Sequence, residues 1–410
     1  MAVKKIFESV KLHHGEGGVT APVGFVANGI SCGIKTNGAK DLCIIFSRDA
    51  CNAAGIFTSN RIKGAPLKVS KTNLGNKVHA IVANSGNANA CTGREGVQNV
   101  REIGKQIGDE FEIPSNSILY ASTGVIGVPL PMESINYGIA KLKRKLIAEN
   151  NVRNAADAIM MTDTKRKMAK VTCIIGGKLI TIGAIAKGSG MINPNMATVL
   201  TLITTDANIA PKMMQRALRS AAKHTFNKLT IDGQMSPNDC VLMMANGRQN
   251  NQIINRTGVN YSIFEHALTM LCDCIAMEII NDGEGVTKVI TLTVKGAATK
   301  AEAELAAREI ANSVLFKTAM YGQSANWGNI IQAIGATEVA INPDKINVFM
   351  NGVQVCENSM FNGFKPADGR TILNKRNIQV TVDLGVGKAS DYIITTDLSY
   401  DYVKINSQYI

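Results

Sequence analysis

The sequence predicts a mixed α/β fold in which helices pack on mixed and antiparallel sheets. Three observations lead to this prediction. Helical and strand patterns alternate along the chain, two segments have the pattern of a β-hairpin, and one apolar run has the length of a strand buried on both faces. The chain has 410 residues, too many for one ordinary core, so we expect at least two packed lobes.

The first half of the chain begins this alternation. Apolar residues recur at helical spacing from Val97 to Ile107 and predict a helix ahead of a short strand at Ile118–Tyr120. Pro131 opens a second helix, because its missing N–H costs nothing in the first helical turn. Residues 170–186 predict a hairpin whose turn is the Gly-Gly pair at 176–177.

The second half of the chain continues the alternation of helical and strand patterns. Thr198–Ile203 is a continuous apolar run, as expected for a strand buried on both faces. Pro211 then opens a helix. Near the end, INVFM-NG-VQVC predicts a hairpin with a type I′ turn at Asn351 and Gly352.

The net charge of +12 comes from 44 basic and 32 acidic residues, and it is compatible with two kinds of partner. Nucleic acid is one, but the basic residues are dispersed apart from 141–145 and 165–167, and only 5% of residues are aromatic. A positive field that attracts small carboxylate substrates is the other, and we favour it. No apolar stretch approaches the roughly 20 residues that cross a bilayer. We expect neither a nucleic-acid partner nor a membrane.

Nine cysteines are scattered along the chain. Cys272 and Cys274 are the closest pair, but CxC without a nearby histidine or a second pair is poor metal-ligand spacing. We therefore predict no metal and no organic cofactor. Reduced, buried thiols and a start without the pattern of a signal peptide indicate a cytoplasmic protein.

The common nucleotide and hydrolase motifs are absent from the sequence. It has no GxxxxGK[ST], no GxGxxG between a strand and a helix, and no HExxH. None of its five histidines adjoins a glycine-framed serine or cysteine, so a Ser–His–Asp triad has no evident base. The other base that can serve a hydroxyl nucleophile is a free α-amine.

The segment KGSGMINPNMATVL, at 187–200, offers such an amine. Cleavage between Ala197 and Thr198 would make Thr198 a new N-terminus, whose amine has an unperturbed pKa of about 7.7–8.0. The amine can accept the proton of the Thr198 hydroxyl, which would also drive cleavage by attacking the Ala197 carbonyl. Taken alone, the segment is more typical of a glycine-rich turn before a core strand.

This segment resembles the cleavage site of the ornithine acetyltransferase family, the bifunctional glutamate N-acetyltransferases of arginine synthesis. Further blocks resemble the family in the same order along almost the whole chain. They are APVGFVANGI (21–30), AGIFTSNRIKGAP (54–66), VANSGNANACTG (82–93), ASTGVIG (121–127), DGEG (282–285), NWG (326–328) and YDYVKIN (400–406).

The resemblance implies a self-processing, N-terminal-nucleophile-like layered sandwich. It implies an acetyltransferase that moves an acetyl group from N-acetylornithine to glutamate through an ester on Thr198. Cleavage would give an α-chain (1–197) and a β-chain (198–410), assembled as a heterotetramer of two copies of each. Some members of the family also use acetyl-CoA as a co-substrate.

The resemblance also implies roles for single residues. Thr198 matches the nucleophile, and Thr123 with Gly124 matches the oxyanion hole, in a glycine-bordered turn after the strand at 118–120. Lys187 matches a substrate contact, since a lysine on a glycine-rich loop can hold a carboxylate.

Glu284 matches an acidic residue suited to the substrate's ammonium group, and Asn406 a substrate-binding asparagine. Without the resemblance, these residues would be interpreted as ordinary turn geometry and solvated polar groups.

The sequence departs from the family pattern in four places. Met161 replaces a substrate-touching threonine, and DGQMSPND (232–239) stands where the family has DGDTSTND. SANWGN (324–329) replaces Asp-Pro-Asn-Trp-Gly-Arg, and the chain ends in isoleucine where the family has Ser or Thr. The changed residues include Met161, Gln234, Met235, Ser324, Asn329 and Ile410. Because buried polar contacts discriminate strongly between small substrates, these changes bear on the acyl donor.

Two further interpretations stay open. A related self-processing amidohydrolase or aminopeptidase, or a diverged paralogue with another acyl donor, would keep the cleavage machinery, and in a hydrolase water would clear the acyl-enzyme. A non-catalytic scaffold would keep the fold after losing its pocket.

Overall fold

The computed structural model describes residues 7–193, 199–364 and 366–408. The chain divides into two compact units. As far as these ranges are described, unit 1 is formed by Met1–Gly188, Pro194–Asn227 and Met235–Ile279, and unit 2 by Ser189–Asn193, Lys228–Gln234 and Ile280–Ile410. This division differs from the α- and β-chains expected from cleavage, which stay a prediction.

Unit 1 contains a nine-stranded sheet in which β2 pairs with β3 beside the order β1-β6-β7-β8-β9-β3-β4-β5. The strands are β1 (Lys11–His14), β2 (Phe25–Ile30), β3 (Leu42–Phe57), β4 (Val78–Asn87), β5 (Ile118–Val125), β6 (Lys167–Ile175), β7 (Lys178–Lys187), β8 (Leu200–Thr205) and β9 (Cys240–Ala245). The pairs β4–β5 and β8–β9 are parallel, and the other pairs are antiparallel.

Strand β3 joins the two parts of this sheet because it is long enough to serve both. Its first residues pair with β2 and β4, the register shifts between Phe46 and Cys51, and its last six residues pair with β9. All residues of β8 and β9 are buried, as expected for strands covered on both faces.

Unit 2 contains a five-stranded sheet in the order β12-β11-β13-β10-β14. Its strands are β10 (Val289–Ala297), β11 (Asn347–Met350), β12 (Val353–Cys356), β13 (Asn377–Asp383) and β14 (Ala389–Thr396). Only β10 and β13 run parallel. The core of this unit packs Ile290, Leu292 and Val294 of β10 with the alanines at 303, 306 and 307.

The helices are, in chain order, α1 (Ala65–Asn73), α2 (Gly93–Phe111), α3 (Met132–Ala148), α4 (Val152–Asp157), α5 (Pro211–His224), α6 (Val259–Asn281), α7 (Lys300–Asn312), α8 (Val314–Tyr321), α9 (Gly328–Gly335), α10 (Pro366–Leu373) and α11 (Tyr400–Ser407). Helix α7 begins with a capping box: the Thr299 side chain accepts from the Glu302 backbone N–H, and the Glu302 carboxylate accepts from the Thr299 backbone N–H. Among the described helices, none combines the length and the apolar character needed to cross a membrane.

The mixed α/β prediction is confirmed, and so are the predicted hairpins. β6 and β7 pair around Gly176 and Gly177, both with positive φ. β11 and β12 pair around Asn351 (φ 48°) and Gly352 (φ 83°), the two positive values that a type I′ turn requires.

The helix predicted at 97–107 is α2, and the helix opened by Pro211 is α5. Pro131 stands at the N-cap of α3, one residue before its first helical residue. The apolar run that starts at Thr198 is a strand from Leu200.

Candidate active site

The predicted cleavage site is framed by two paired strand ends. Ala197 and Thr198 lie outside the described residues. Upstream and downstream of them, β7 and β8 pair antiparallel, with Lys187 opposite Leu200. Val199, the residue after Thr198, is buried, and its carbonyl accepts a hydrogen bond of 3.0 Å from the Cys240 N–H. The chain is therefore fixed immediately after the predicted nucleophile.

Thr123 and Gly124 lie in the last residues of β5, beside the end of β4. We expected a turn after a strand ending at 120; instead the strand extends to Val125, because β4 continues to pair with it. Gly124 has φ 135°, and a Cβ there would lie 2.3 Å from the backbone carbon of Gly86. A backbone cannot yield at that distance, so only glycine fits, and two backbones come unusually close at the predicted oxyanion hole.

Lys187 is directed to the same strand end. Its Nζ donates a hydrogen bond of 3.1 Å to Thr123 Oγ1, so two of the predicted site residues are in direct contact. The lysine is half-buried at the last position of β7. This arrangement leaves a cation beside a hydroxyl and a glycine backbone, which suits a substrate carboxylate and a developing oxyanion.

Asp163 anchors this part of unit 1, and the sequence analysis did not find it. Its Oδ1 accepts from Lys167 Nζ at 2.6 Å and from the Gly188 N–H at 2.7 Å. Burial raises the pKa of Asp163, but the charges of Lys167 and Lys187 and the hydrogen bonds outweigh it, so its pKa lies below the ordinary value. An ionised carboxylate thus holds the residue that follows Lys187.

Met161 lies next to the paired glycines. Its sulfur accepts from the Gly86 N–H at 3.1 Å, and its own N–H donates to Asp163 Oδ2 at 3.0 Å. A thioether is a weak acceptor and carries no donor, whereas a hydroxyl has both. The substitution therefore removes a hydrogen-bonding group close to Gly124.

Glu284 and Asn406 form the second pair of predicted site residues, in unit 2. Asn406 lies on α11, and its Nδ2 donates to Glu284 Oε2 at 2.7 Å. The Glu284 N–H donates to the Ser189 carbonyl at 2.8 Å. A Cβ on Gly190 would lie 2.3–2.5 Å from the Glu284 carboxyl group, so that carboxylate rests on the backbone of the segment leading to the cleavage site.

Asp232 is a further carboxylate of unit 2 that the sequence analysis missed. It accepts from the N–H groups of Met191 and Ile192, at 2.6 and 2.9 Å, and from the Tyr402 hydroxyl at 3.3 Å. Withdrawal from water, with a smaller contribution from the charge of Glu284, raises its pKa above the ordinary value.

A buried lysine belongs to the same unit. Lys317 Nζ donates to Thr395 Oγ1 at 3.2 Å and to the Thr396 carbonyl. Burial lowers its pKa to about 8, against the opposing effect of the carboxylates of Asp232 and Asp397. Asp397 itself accepts from the backbone N–H groups of Thr287 and Lys288.

The other substituted positions have structural contacts. Gln234 is exposed, and its N–H donates to Asp232 Oδ1 at 3.0 Å. The Met235 carbonyl accepts from Asn60 Nδ2, and Asn329 Nδ2 donates to the Leu315 carbonyl. The Ser324 N–H donates to the Ala319 carbonyl. Ile410 lies outside the described residues.

Cys274 has a histidine near it in space. In sequence no histidine is near it, but the pairing of β1 with β6 carries His14 to α6, where His14 Nε2 lies 2.7 Å from Glu278 Oε1. Donor atoms of His14, Cys274 and Glu278 all lie within 4.8 Å of one another, the one such group of three found in the described part of the chain. All nine cysteines are described, and all are free thiols.

Comparison with known proteins decides the family. A sequence model of the ArgJ family matches residues 26–410. This chain belongs to the ArgJ family. The resemblance to ornithine acetyltransferases is thereby confirmed.

Relatives in the ArgJ family match the chain over nearly their whole length. The arginine biosynthesis bifunctional protein ArgJ of Symbiobacterium thermophilum is 43% identical over 397 residues, 96% of this chain and 98% of the relative. That of Caldanaerobacter subterraneus is 41% identical over 403 residues, with the same coverage. A crystal structure of the ArgJ protein of Bacillus halodurans is 37% identical and covers 51% of this chain and 98% of its own, with a TM-score of 0.48.

Proposed function

We propose that this chain cleaves itself between Ala197 and Thr198 and then moves an acetyl group from N-acetylornithine to glutamate through an ester on Thr198. Acetyl transfer in arginine biosynthesis follows from membership of the ArgJ family. The observation that supports the detailed route best is the contact between Lys187 and Thr123 beside Gly124, at the strand end that leads into the cleavage segment.

The cleavage step needs no group beyond the chain and water. Thr198 Oγ attacks the Ala197 carbonyl carbon, the C–N bond breaks, and the amine keeps the proton that the hydroxyl releases. Water then opens the resulting ester, which leaves a carboxylate on Ala197 and a free hydroxyl on Thr198. The new α-amine, with an ordinary pKa of about 7.7–8.0, is the base for later turnovers.

Transfer proceeds in two halves. The Thr198 hydroxyl attacks the acetyl carbonyl of N-acetylornithine, ornithine leaves with the proton held by the amine, and the acetyl group stays on Thr198 Oγ. The amino group of glutamate then attacks this ester and carries the acetyl group away. Thr123 and Gly124 stabilise the oxyanion in both halves, a role whose loss costs about 10²–10³ in rate per donor.

The family resemblance assigns one contact to each charged end of a zwitterionic substrate. Lys187 holds a carboxylate, and Glu284, braced by Asn406, holds an ammonium group. Because Met161 offers no hydroxyl, we assign part of the donor selectivity to this position.

The same proposal includes the assembly and the setting. The α-chain (1–197) and β-chain (198–410) stay together and form a heterotetramer of two copies each, in the cytoplasm. Acetyl-CoA serves as a second acetyl donor if the chain also catalyses the first acetylation of glutamate in arginine biosynthesis.

A product assay tests this route. N-acetylornithine is incubated with the enzyme, with and without glutamate, and acetylglutamate, ornithine and acetate are quantified. We expect acetylglutamate in equal amount to ornithine, and an acetylated β-chain when glutamate is left out. Thr198→Ser keeps a hydroxyl and is the matched control for Thr198→Ala, which we expect to be inactive.

Three results contradict the proposal. Acetate release that does not depend on glutamate would identify a hydrolase instead. Turnover by Thr198→Ala would show that Thr198 is not the nucleophile. An absence of turnover by the wild-type chain would favour a non-catalytic scaffold protein.

A further inference from the structure

We propose that Asp232 is a positioning residue for self-cleavage: it holds the segment from Met191 to Asn193 so that the bond between Ala197 and Thr198 is presented to the Thr198 hydroxyl. The inference rests on the proposed function, since it assumes that this bond is cut. Asp232 acts through the backbone of the segment.

The Asp232 carboxylate uses both oxygens as acceptors. Oδ2 accepts from the Met191 N–H at 2.6 Å and from the Tyr402 hydroxyl at 3.3 Å. Oδ1 accepts from the Ile192 N–H at 2.9 Å and from the Gln234 N–H at 3.0 Å. An asparagine offers one acceptor oxygen and an NH₂ group that donates, so it would set a donor against a donor on one side. Only an ionised carboxylate satisfies all four groups.

Neighbouring groups hold the rest of the segment. The Ile192 carbonyl accepts from the Ile231 N–H at 2.8 Å. Asn193 Nδ2 donates to the Gly233 carbonyl at 3.0 Å, and Arg308 Nη1 donates to Asn193 Oδ1 at 3.1 Å. Each of the last three described residues before the cleavage site therefore has a fixed hydrogen-bond partner.

The backbone of this segment is conformationally unusual. Met191 has φ 55°, in the left-handed region that residues with a side chain rarely adopt. Its N–H is the donor of the short bond to Asp232. The carboxylate thus supports a conformation that the chain does not favour by itself, which is typical of segments constrained for function.

The segment lies a short way along the chain from the scissile bond. Ala197 is four residues after Asn193, and a chain advances at most about 3.3–3.6 Å per residue. Intramolecular attack is fastest when the chain that carries the reacting groups is held in place, and the bonds described above hold the chain as far as Asn193.

The test is the rate of self-cleavage in three full-length chains: wild type, Asp232→Asn, and Asp344→Asn as the control. Asp344 is an exposed aspartate of the same unit. Purified precursor is followed by intact mass over time, well below the melting temperature of each protein. We expect Asp232→Asn to cleave about 100-fold more slowly, the size of effect that misplacement of reacting groups produces, and the control to stay within about twofold.

A second readout separates positioning from a general structural role. In the fraction that has been cleaved, the KM for N-acetylornithine should stay within about twofold of wild type, and the circular dichroism spectrum should be unchanged. A merely structural role would change KM, spectrum and cleavage rate together, and that pattern overturns the inference.

Tyr402→Phe removes one of the four groups that donate to Asp232. It tests the inference if Asp232→Asn does not fold. We expect cleavage about 3–10-fold slower, the effect of losing one hydrogen bond of ordinary net strength, since the Tyr402 hydroxyl lies 3.3 Å from Asp232 Oδ2. Wild-type cleavage with unchanged rates in the variants overturns this inference alone. A wild-type chain that stays whole overturns the cleavage step of the proposed function, and this inference with it.

Discussion

Asp163 of unit 1 and Asp232 of unit 2 are both carboxylates that accept backbone N–H groups next to the cleavage segment, yet their pKa values shift in opposite directions. Asp163 binds the Gly188 N–H and has the ammonium group of Lys167 at 2.6 Å, so its pKa is lowered. Asp232 binds the N–H groups of Met191 and Ile192, but its withdrawal from water outweighs these bonds and the negative charge of Glu284 adds to it, so its pKa is raised.

The comparison shows that hydrogen bonds from the backbone do not by themselves set the pKa of a carboxyl group. Both residues accept several N–H groups, which stabilises the ionised form, and both are withdrawn from water, which destabilises it. For Asp163 the charges of Lys167 and Lys187 outweigh the withdrawal from water, whereas for Asp232 the withdrawal from water dominates and the charge of Glu284 adds to it. Asp163 therefore stays ionised at any pH near neutral. Asp232 takes up a proton at a higher pH than an ordinary aspartate does.

The largest expected effect comes from removing the cation of Asp163. Lys167→Met leaves a buried, unpaired carboxylate, since the side chains of both residues are almost fully buried. We expect the free energy of unfolding to fall by about 3–5 kcal/mol, measured in urea at neutral pH. Lys178→Met, at an exposed lysine that begins β7, is the control. A loss below about 1 kcal/mol would show that the pair does not anchor unit 1.

The opposite pKa shifts predict opposite pH dependences. The lowered pKa of Asp163 gives stability that is present above its ordinary value of 3.8 and lost as the pH falls through the lowered value. The raised pKa of Asp232 gives stability that is complete below 3.8 and lost as the pH rises through the raised value.

Urea unfolding of Asp163→Asn and Asp232→Asn, at neutral pH and at a pH below 3.8, measures both dependences. We expect the penalty of Asp163→Asn to be larger at neutral pH, and that of Asp232→Asn to be larger at the acidic pH. Penalties that change with pH in the same direction would remove the electrostatic contrast between the two anchors.

A smaller effect should follow from Lys187→Met, because Lys187 is only half-buried and contributes less than Lys167 to the pKa of Asp163. We expect acid unfolding to begin at a slightly higher pH than in wild type. The KM for N-acetylornithine should rise about 10–100-fold, the value of a hydrogen bond to a charged group. An unchanged KM would remove Lys187 from the substrate site.

The smallest effect is expected from Glu284→Gln. It removes the like charge next to Asp232, so the pKa of Asp232 should fall toward its ordinary value, while the amide can still accept from Asn406. In urea unfolding, the pH at which the contribution of Asp232 is lost should move down. A shift upward would mean that Glu284 is not the neighbouring charge that matters.

Local patterns were sufficient to predict much of the fold. The β6–β7 and β11–β12 hairpins depend on Gly-Gly and Asn-Gly turns, and α2 on apolar residues spaced by three or four positions. All of these signals lie within short stretches of sequence. The double role of β3 was not predictable in this way, because its two partners, β4 and β9, are far apart in the chain.

The residues of the candidate site also differ in whether the sequence could predict them. Contacts between Lys187 and Thr123 and between Glu284 and Asn406 agree with residues that the family resemblance selected. Asp163 was passed over because its importance depends on Lys167 and on a tertiary contact with Gly188.

Asp232 begins the block DGQMSPND (232–239), in which the comparison with the family pattern marks Gln234 and Met235 and not Asp232. Its partners at Met191 and Tyr402 are 41 and 170 residues away in the chain. No local pattern marks contacts of that kind. A single aspartate followed by glycine is an ordinary turn signal, and that is how the sequence alone presents it.

Self-cleavage before Thr198 is the step on which the proposed roles depend, and the most direct test is the intact mass of purified wild-type protein next to Thr198→Ala. We predict two fragments from wild type, 1–197 and 198–410, with an unmodified threonine at the start of the second, and a single whole chain from the variant. A wild-type chain that stays whole, or a variant that is cut at the same bond, would contradict the assignment of Thr198 as the nucleophile.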